Sequence, residues 1–330
     1  QVKDDYFNVL RDWFRTHHAW TVQRDELVIT PGVVFAIATA IRAYTAPNDA
    51  VIIQQPVYYP FASMIRQNGR TLIDSPLRFA DGRYSIDFAD FEQKIIDHKV
   101  KLFVLCSPHN PVGRVWTRTE LEQLAAICLR HHVIVVADEI HEEFVRPGFR
   151  HIPFAAISDE AAAISITCTS PSKTFNLAGL VGSYHIIYDD YMRDRVLAKS
   201  RKSCYNSMNV LSMHALIGAY SSEGEEWLDE LLQVLDGNVS WACDYIREHL
   251  DGVKVSKPEG TYMLFLDCSE WCEAHGHDIE WVERAGWHVG VDWQDGRAFH
   301  GPCHVRMNLA LPLSRVQAAF GRLDRYVFNA

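Results

Sequence analysis

Two uninterrupted apolar runs, residues 102–106 and 133–137, constrain this chain more than any other feature of its sequence. A strand with one face in water alternates apolar and polar residues, whereas a strand apolar throughout is covered on both faces, as in a parallel sheet between two layers of helices. Shorter runs at 27–29 and 51–53 and a further one at 162–168 fit the same reading. Between them lie segments with helical spacing of apolar residues: 33–44, the stretch ending at Asn68-Gly69, 88–96 and 119–131. Strand and helix patterns that alternate in this way predict an α/β fold with a mostly parallel sheet.

Composition narrows the function classes. The chain has 330 residues, 48% hydrophobic and 22% charged, with a formal net charge of -10. That balance, without a clustered basic face, argues against nucleic acid or an anionic membrane as partner. No apolar run approaches the roughly 20 residues that span a bilayer, and the first residues form neither a signal nor a transit peptide, so a cytoplasmic location is expected. Eight cysteines stand at 106, 128, 168, 204, 243, 268, 272 and 303. Only Cys268 and Cys272 are close, without the paired spacing of a zinc site, and the sixteen histidines are dispersed, so no metal is expected.

Chemistry-bearing residues stand just after the buried strands. Gly32 opens the helix at 33–44, where the backbone N–H groups of Gly32 and Val33 and the helix dipole suit a phosphate, although many helices start this way for capping alone. Tyr58 and Tyr59 lie between Pro56 and Pro60, a stiff loop that either holds a ring against a planar ligand or packs as an aromatic cluster. Asn110-Pro111 aims a side-chain amide after the 102–106 run, and Asp138 follows the 133–137 run. A buried acid there needs a cation, for which a protonated pyridine nitrogen would serve, or else it caps a turn. Lys173, between Ser170, Ser172 and Thr174, is either a solvated loop lysine or an amine placed to form a Schiff base. Tyr58, Asn110, Asp138 and Lys173 follow strands at the edge where open α/β sheets bind ligands, and their convergence favours a cofactor site.

The pattern changes beyond residue 222. Mostly helical stretches at 190–221 and 225–250 lead to short strands at 253–255, 261–267 and 305–309, with two short helices between and an amphipathic helix at 314–328. This predicts a large domain over residues 1–222 and a smaller α+β domain over 223–330.

The ordered motifs Asn110-Pro111-x-Gly113, Asp138-x-x-His141 and Ser170-x-Ser172-Lys173 resemble the fold-type I pyridoxal-phosphate enzymes of the class I/II aminotransferase superfamily. Residues 29–47, 54–61, 106–117, 133–141, 170–180 and 258–267 are similar to its cystathionine β-lyase (carbon–sulfur lyase) branch. The resemblance implies pyridoxal 5'-phosphate bound covalently to Lys173, with Asp138 keeping the pyridine nitrogen protonated, Asn110 donating to the ring oxygen and Tyr58 stacked on the ring. It implies that His141 lies beside the cofactor, that Gly32, Val33, Ser170 and Ser172 hold the phosphate, and that Arg306, with Asn110 nearby, binds the substrate α-carboxylate. His141 stands where many aminotransferases have tyrosine, and Val181 where many have a phosphate-binding arginine; the first departure matches the lyase branch. Segments around Tyr205 and Tyr262, with Tyr58 and Tyr59, are expected to line the pocket. A helical segment begins within a few residues of Gln1, so the chain is expected to be a fragment without the N-terminal arm that the family contributes across a homodimer. The implied reaction is α,β-elimination from cystathionine or a related cysteine S-conjugate to pyruvate, ammonia and a thiol; the alternative is transamination of an amino acid on the same cofactor.

Overall fold

The computed structural model describes residues 2–205 and 207–329 of the chain. Its first strands are β1 (Leu27–Thr30), β2 (Ala50–Ile53) and β3 (Thr71–Asp74), followed by a hairpin of β4 (Arg78–Ala80) and β5 (Arg83–Ser85) around the Asp81-Gly82 turn. Then come β6 (Leu102–Cys106), β7 (Ile134–Asp138), β8 (Ser165–Thr169) and β9 (Ser183–Ile186). The central sheet has the order β1-β9-β8-β7-β6-β2-β3, with parallel pairing from β3 through β8. β9 runs antiparallel to both its neighbours. The link from β8 carries only short helical turns, too little to return the chain across the sheet, so β9 comes back beside β8 in the opposite direction.

The apolar runs do what their composition predicts. Along β6, Phe103 and Leu105 enter one core while Leu102, Val104 and Cys106 enter the core on the opposite face. Val135 and Ala137 divide from Val136 in the same way on β7, as the two-residue period of a strand requires. Helix Val33–Tyr44 covers one face through Ala36, Ile37, Ala40 and Ile41, all fully buried. Helix Arg118–Arg130 covers the other through Leu121, Leu124 and Cys128, and starts at a capping box in which Thr117 and Glu120 exchange side-chain and backbone hydrogen bonds.

Some helical boundaries differ from expectation. The first helix, Val2–His17, buries Tyr6, Leu10, Trp13 and Phe14, with Phe7 half-buried against the same core. The stretch at 190–221 divides into Asp190–Arg201 and Val210–Ala219, and the last helix runs over Leu313–Leu323 before a wider turn at Asp324–Phe328. No helix among the described residues is long and apolar enough to cross a membrane.

A second sheet, of β10 (Lys254–Val255), β11 (Met263–Asp267), β12 (Gln294–Asp295) and β13 (His304–Asn308), is antiparallel throughout in the order β10-β11-β13-β12. With helices Ser222–His249 and Leu313–Leu323 it encloses its own apolar core, including Val239, Ile246, Leu264 and Phe320. The two sheets are joined by Arg114, only 1% exposed. Its Nε donates to Glu259 Oε2 (2.9 Å), Nη2 to Glu120 (2.8 Å) and Nη1 to the Tyr84 carbonyl (2.6 Å). Gly113 beside it has φ 73°, and a Cβ there would lie 2.6 Å from Pro258 Cβ, so only glycine fits that junction.

Candidate active site

Because β2, β6, β7 and β8 are parallel, their C-terminal ends share one edge, and the loops leaving that edge meet in a cleft of about 340 Å³. Tyr58 arrives after β2, Asn110 after β6, Asp138 and His141 at the end of β7, and Lys173 after β8. Arg306, on β13 of the second sheet, closes the opposite wall. Val33 also faces the cleft, at the start of its helix.

Asp138 lies between Cys106 and Cys168 in the strand register and is 5% exposed. Burial pushes its carboxyl up to about 7, with Glu139 adding to the rise while the Ile140 N–H (3.2 Å from Oδ1) and Lys173 oppose it. A carboxylate at the cleft floor that is half discharged near neutral pH recovers its charge when a cation meets it. His141 is driven down to about 3 by burial, aided by the charges of Lys173 and Arg306, and is neutral at pH 7. Its Nδ1 is buried without a hydrogen-bond partner among the described residues, and its ring packs edge-on against Tyr262, centroids 5.7 Å apart.

Lys173 is not on a strand-end loop but within one helical turn, Pro171–Thr174. Ser170 Oγ caps that turn by accepting from the Ser172 N–H (3.0 Å) and donates to the Gly182 carbonyl (2.6 Å). The lysine side chain is thereby held exposed on the cleft wall. Tyr58 stands edge-on to Phe61 at 5.8 Å, and burial raises its hydroxyl pKa, with Asp138 contributing.

The expected phosphate ligands are only partly brought together. Gly32, at φ 99° and therefore a glycine position, donates its N–H to Ser183 Oγ (2.8 Å) rather than into the cleft. The Ser170 hydroxyl is spent on Gly182, and neither serine is among the cleft-lining residues, whereas Val33 is. Of the other expected lining residues Tyr59 is present, but Tyr262 backs His141 instead. Tyr205 borders a separate depression with Phe7 and Arg193. Sequence reasoning missed Cys106, whose Sγ accepts from the Asn110 N–H (3.4 Å), and Gln294, which bonds Arg306.

The loop after β7 also builds a buried cluster, outside the cleft lining, that its sequence did not reveal. His18 Nε2 lies 2.9 Å from Glu143 Oε1, and His151 Nε2 lies 3.1 Å from Glu139 Oε2. Trp13 Nε1 donates to Glu143 (2.6 Å) and Thr169 Oγ1 to Glu142 (2.8 Å).

The donor set fits pyridoxal phosphate. Asp138 offers an anion where a pyridine nitrogen would carry a proton, and the His141 Nδ1 beside it is unspent. Among the described residues the Lys173 amine has no hydrogen-bond or ion-pair partner and can bond an aldehyde, and the Val33 helix start offers N–H groups to a phosphate.

The family model "Aminotransferase class I and II" matches residues 2–323. The chain is 43% identical to cystathionine β-lyase PatB of Bacillus subtilis over 94% of this chain and 80% of that protein. Among solved structures, a pyridoxal-phosphate-bound putative aminotransferase from Clostridium difficile superposes with a TM-score of 0.93 at 39% identity, over 98% of this chain and 83% of that one. Cystalysin from Treponema denticola, which contains pyridoxal 5'-phosphate, also gives 0.93, at 34% identity over 98% and 82% of the two chains. The chain belongs to the class I and II aminotransferase family, on the branch that includes cystathionine β-lyase PatB.

Proposed function

We propose that this protein is a pyridoxal-phosphate-dependent carbon–sulfur β-lyase that acts on L-cystathionine or a related cysteine S-conjugate. The observation that carries the reading is the meeting of Asp138, Lys173 and Arg306 in one cleft, in a chain 43% identical to a cystathionine β-lyase. Pyridoxal phosphate bound there supplies an electron sink for the pair left at Cα when a proton is removed.

The remaining steps belong to the chain's own residues. Asp138 keeps a proton on the pyridine nitrogen, which both partners' charges favour in a buried site. Asn110 Oδ1 is occupied by Arg306, which leaves the Asn110 amide N–H groups for a ring oxygen. Tyr58 and Val33, which line the same cleft, would bound the ring and the phosphate end. Arg306 takes the substrate α-carboxylate in its planar fork and so turns the Cα–H bond toward Lys173. The Lys173 amine accepts that proton, the Cβ–S bond breaks, and sulfur leaves with the bonding pair as a thiolate. Water then completes the release of pyruvate and ammonia.

Several further assignments rest on the family. We take residues 1–222 as the cofactor-holding part and 223–330 as the smaller part, the assembly as a homodimer, and the location as the cytoplasm. The test of the function supplies L-cystathionine and no keto acid, and measures thiol and pyruvate. Sustained release of both in equal amounts supports the lyase; turnover that appears only on adding a keto acid makes the protein a transaminase.

A further inference from the structure

We propose that Gln294 is a positioning residue that orients Arg306 for the substrate carboxylate while leaving its charge unspent. The proposal rests on the reading of Arg306 as the carboxylate site. β12 and β13 are antiparallel, and Gln294 and Arg306 are Cα partners across them, so their side chains rise on the same face of the sheet. Gln294 Oε1 accepts from Arg306 Nη2, and Asn110 Oδ1 accepts from Nη1 at 2.9 Å. The guanidinium carbon stands 4.6 Å from the centroid of Phe299, whose ring is 1% exposed. Phe299 is in turn fixed by an edge-on contact with Tyr59 (5.4 Å) and by accepting the Val57 N–H at its carbonyl (3.3 Å).

All these partners are neutral. Two amide oxygens and an aromatic face aim the fork by dipole and quadrupole, and among the described residues Arg306 has no ion pair with a carboxylate. Each terminal nitrogen keeps a second N–H, so an incoming carboxylate meets a fork already aimed and still fully charged. Pairing to an acid at the same place would aim Arg306 equally well and neutralise it, in direct competition with the substrate. Gln294 occupies that place as the uncharged isostere of glutamate. It is exposed at the mouth of the cleft, where a substitution disturbs little packing.

The test compares Gln294→Glu, Gln294→Ala and Arg306→Ala in the holoenzyme, using L-cystathionine and a matched conjugate that lacks the α-carboxylate. Gln294→Glu is expected to raise KM for the carboxylate substrate roughly tenfold or more, with kcat changed less than about threefold and no change with the decarboxylated conjugate. Lowering the pH toward the glutamate pKa is expected to relieve the KM increase, which a packing defect would not do. Gln294→Ala is expected to raise KM by a smaller factor, roughly threefold, through lost aim alone. If Arg306→Ala raises KM while Gln294→Glu leaves it unchanged, or affects both substrates equally, the role of Gln294 is overturned and that of Arg306 stands. If Arg306→Ala leaves KM unchanged, the carboxylate reading itself has failed, and the proposal with it.

Discussion

Arg306 Nη1 donates to Asn110 Oδ1 across 2.9 Å, and this hydrogen bond ties the second sheet to the loop leaving β6. The contact fixes the distance between the group read as holding the carboxylate and the loop beside the cofactor ring. Replacing Asn110 by aspartate would turn a neutral acceptor into an ion-pair partner for Arg306. The expected outcome is a KM for L-cystathionine raised about tenfold or more, since one charge-assisted interaction contributes about 1.5–3 kcal/mol. Steady-state kinetics check this, and an unchanged KM contradicts it.

On the proposed reading, Asp138 governs what the bound ring can do. Asp138→Asn keeps the shape and the Ile140 N–H acceptor but loses the negative charge, so cofactor affinity is expected to suffer less than turnover. A drop in kcat of at least about a hundredfold with the cofactor still bound is predicted, the range of a positioned proton-transfer group. Cofactor content by absorbance, set beside kcat for the same preparation, separates the two effects; turnover at the wild-type rate removes Asp138 from the chemistry.

The junction of the two sheets depends on one buried cation. Arg114→Leu leaves Glu259 and Glu120 facing a gap that Arg114 fills at 1% exposure. Breaking a buried pair by removing one partner costs about 3–5 kcal/mol, and urea unfolding is expected to show a loss in that range. A loss below about 1 kcal/mol would mean that the network is not what holds the sheets together.

The buried cluster built by the loop after β7 makes stability fall as pH rises beyond about 7.5. Burial pushes Glu139 up to about 8 from an ordinary 4.5. His18 is opposed by burial, but Glu143, Glu142 and Glu139 raise it to about 9 from 6.5. In both cases the folded state keeps a proton that the unfolded chain has released. The stability from Glu139 is therefore complete below about pH 4.5 and lost through pH 8, and that from His18 is complete below about pH 6.5 and lost through pH 9. Carboxylates lowered by partners, such as Glu120, and histidines held neutral by burial, such as His141 and His151 at about 3, have gained their full share only by about pH 7.5, above the unfolded histidine value of 6.5, and do not offset a fall beyond it. The Tm is expected to drop by several degrees between about pH 7.5 and about pH 9.5, where about 1 kcal/mol corresponds to roughly 2–4 °C. A Tm that rises over that interval contradicts the assignment.

How much was legible in the sequence followed from how local each signal is. The strands at 102–106 and 133–137 were visible because full burial on both faces leaves an unbroken apolar run. Tyr58, Asn110, Asp138 and Lys173 were found because parallel strands bring their C-terminal loops to one edge, so sequence order alone predicts the meeting. The turn carrying Lys173 was not found, since four residues are too few to display a helical period. Gln294 was invisible for a different reason: its partner is set by the register of β12 on β13, which no residue near it announces. Likewise His18 and Glu143 meet across 125 residues of sequence, and neither carries a motif. A glycine turn before a helix suits a phosphate, but the Gly32 N–H donates to Ser183, on the antiparallel β9, a partner that nothing near Gly32 in the sequence announces.

The proposed function places the cofactor and the chemistry in the cleft between Asp138, Asn110 and Lys173. Its most direct test is borohydride reduction of the protein loaded with pyridoxal phosphate, followed by digestion and peptide mass mapping. The account predicts one stoichiometric adduct, on the peptide containing Lys173, and none in Lys173→Ala. An adduct of equal yield on another lysine, or an unchanged cofactor absorbance in Lys173→Ala, would contradict it.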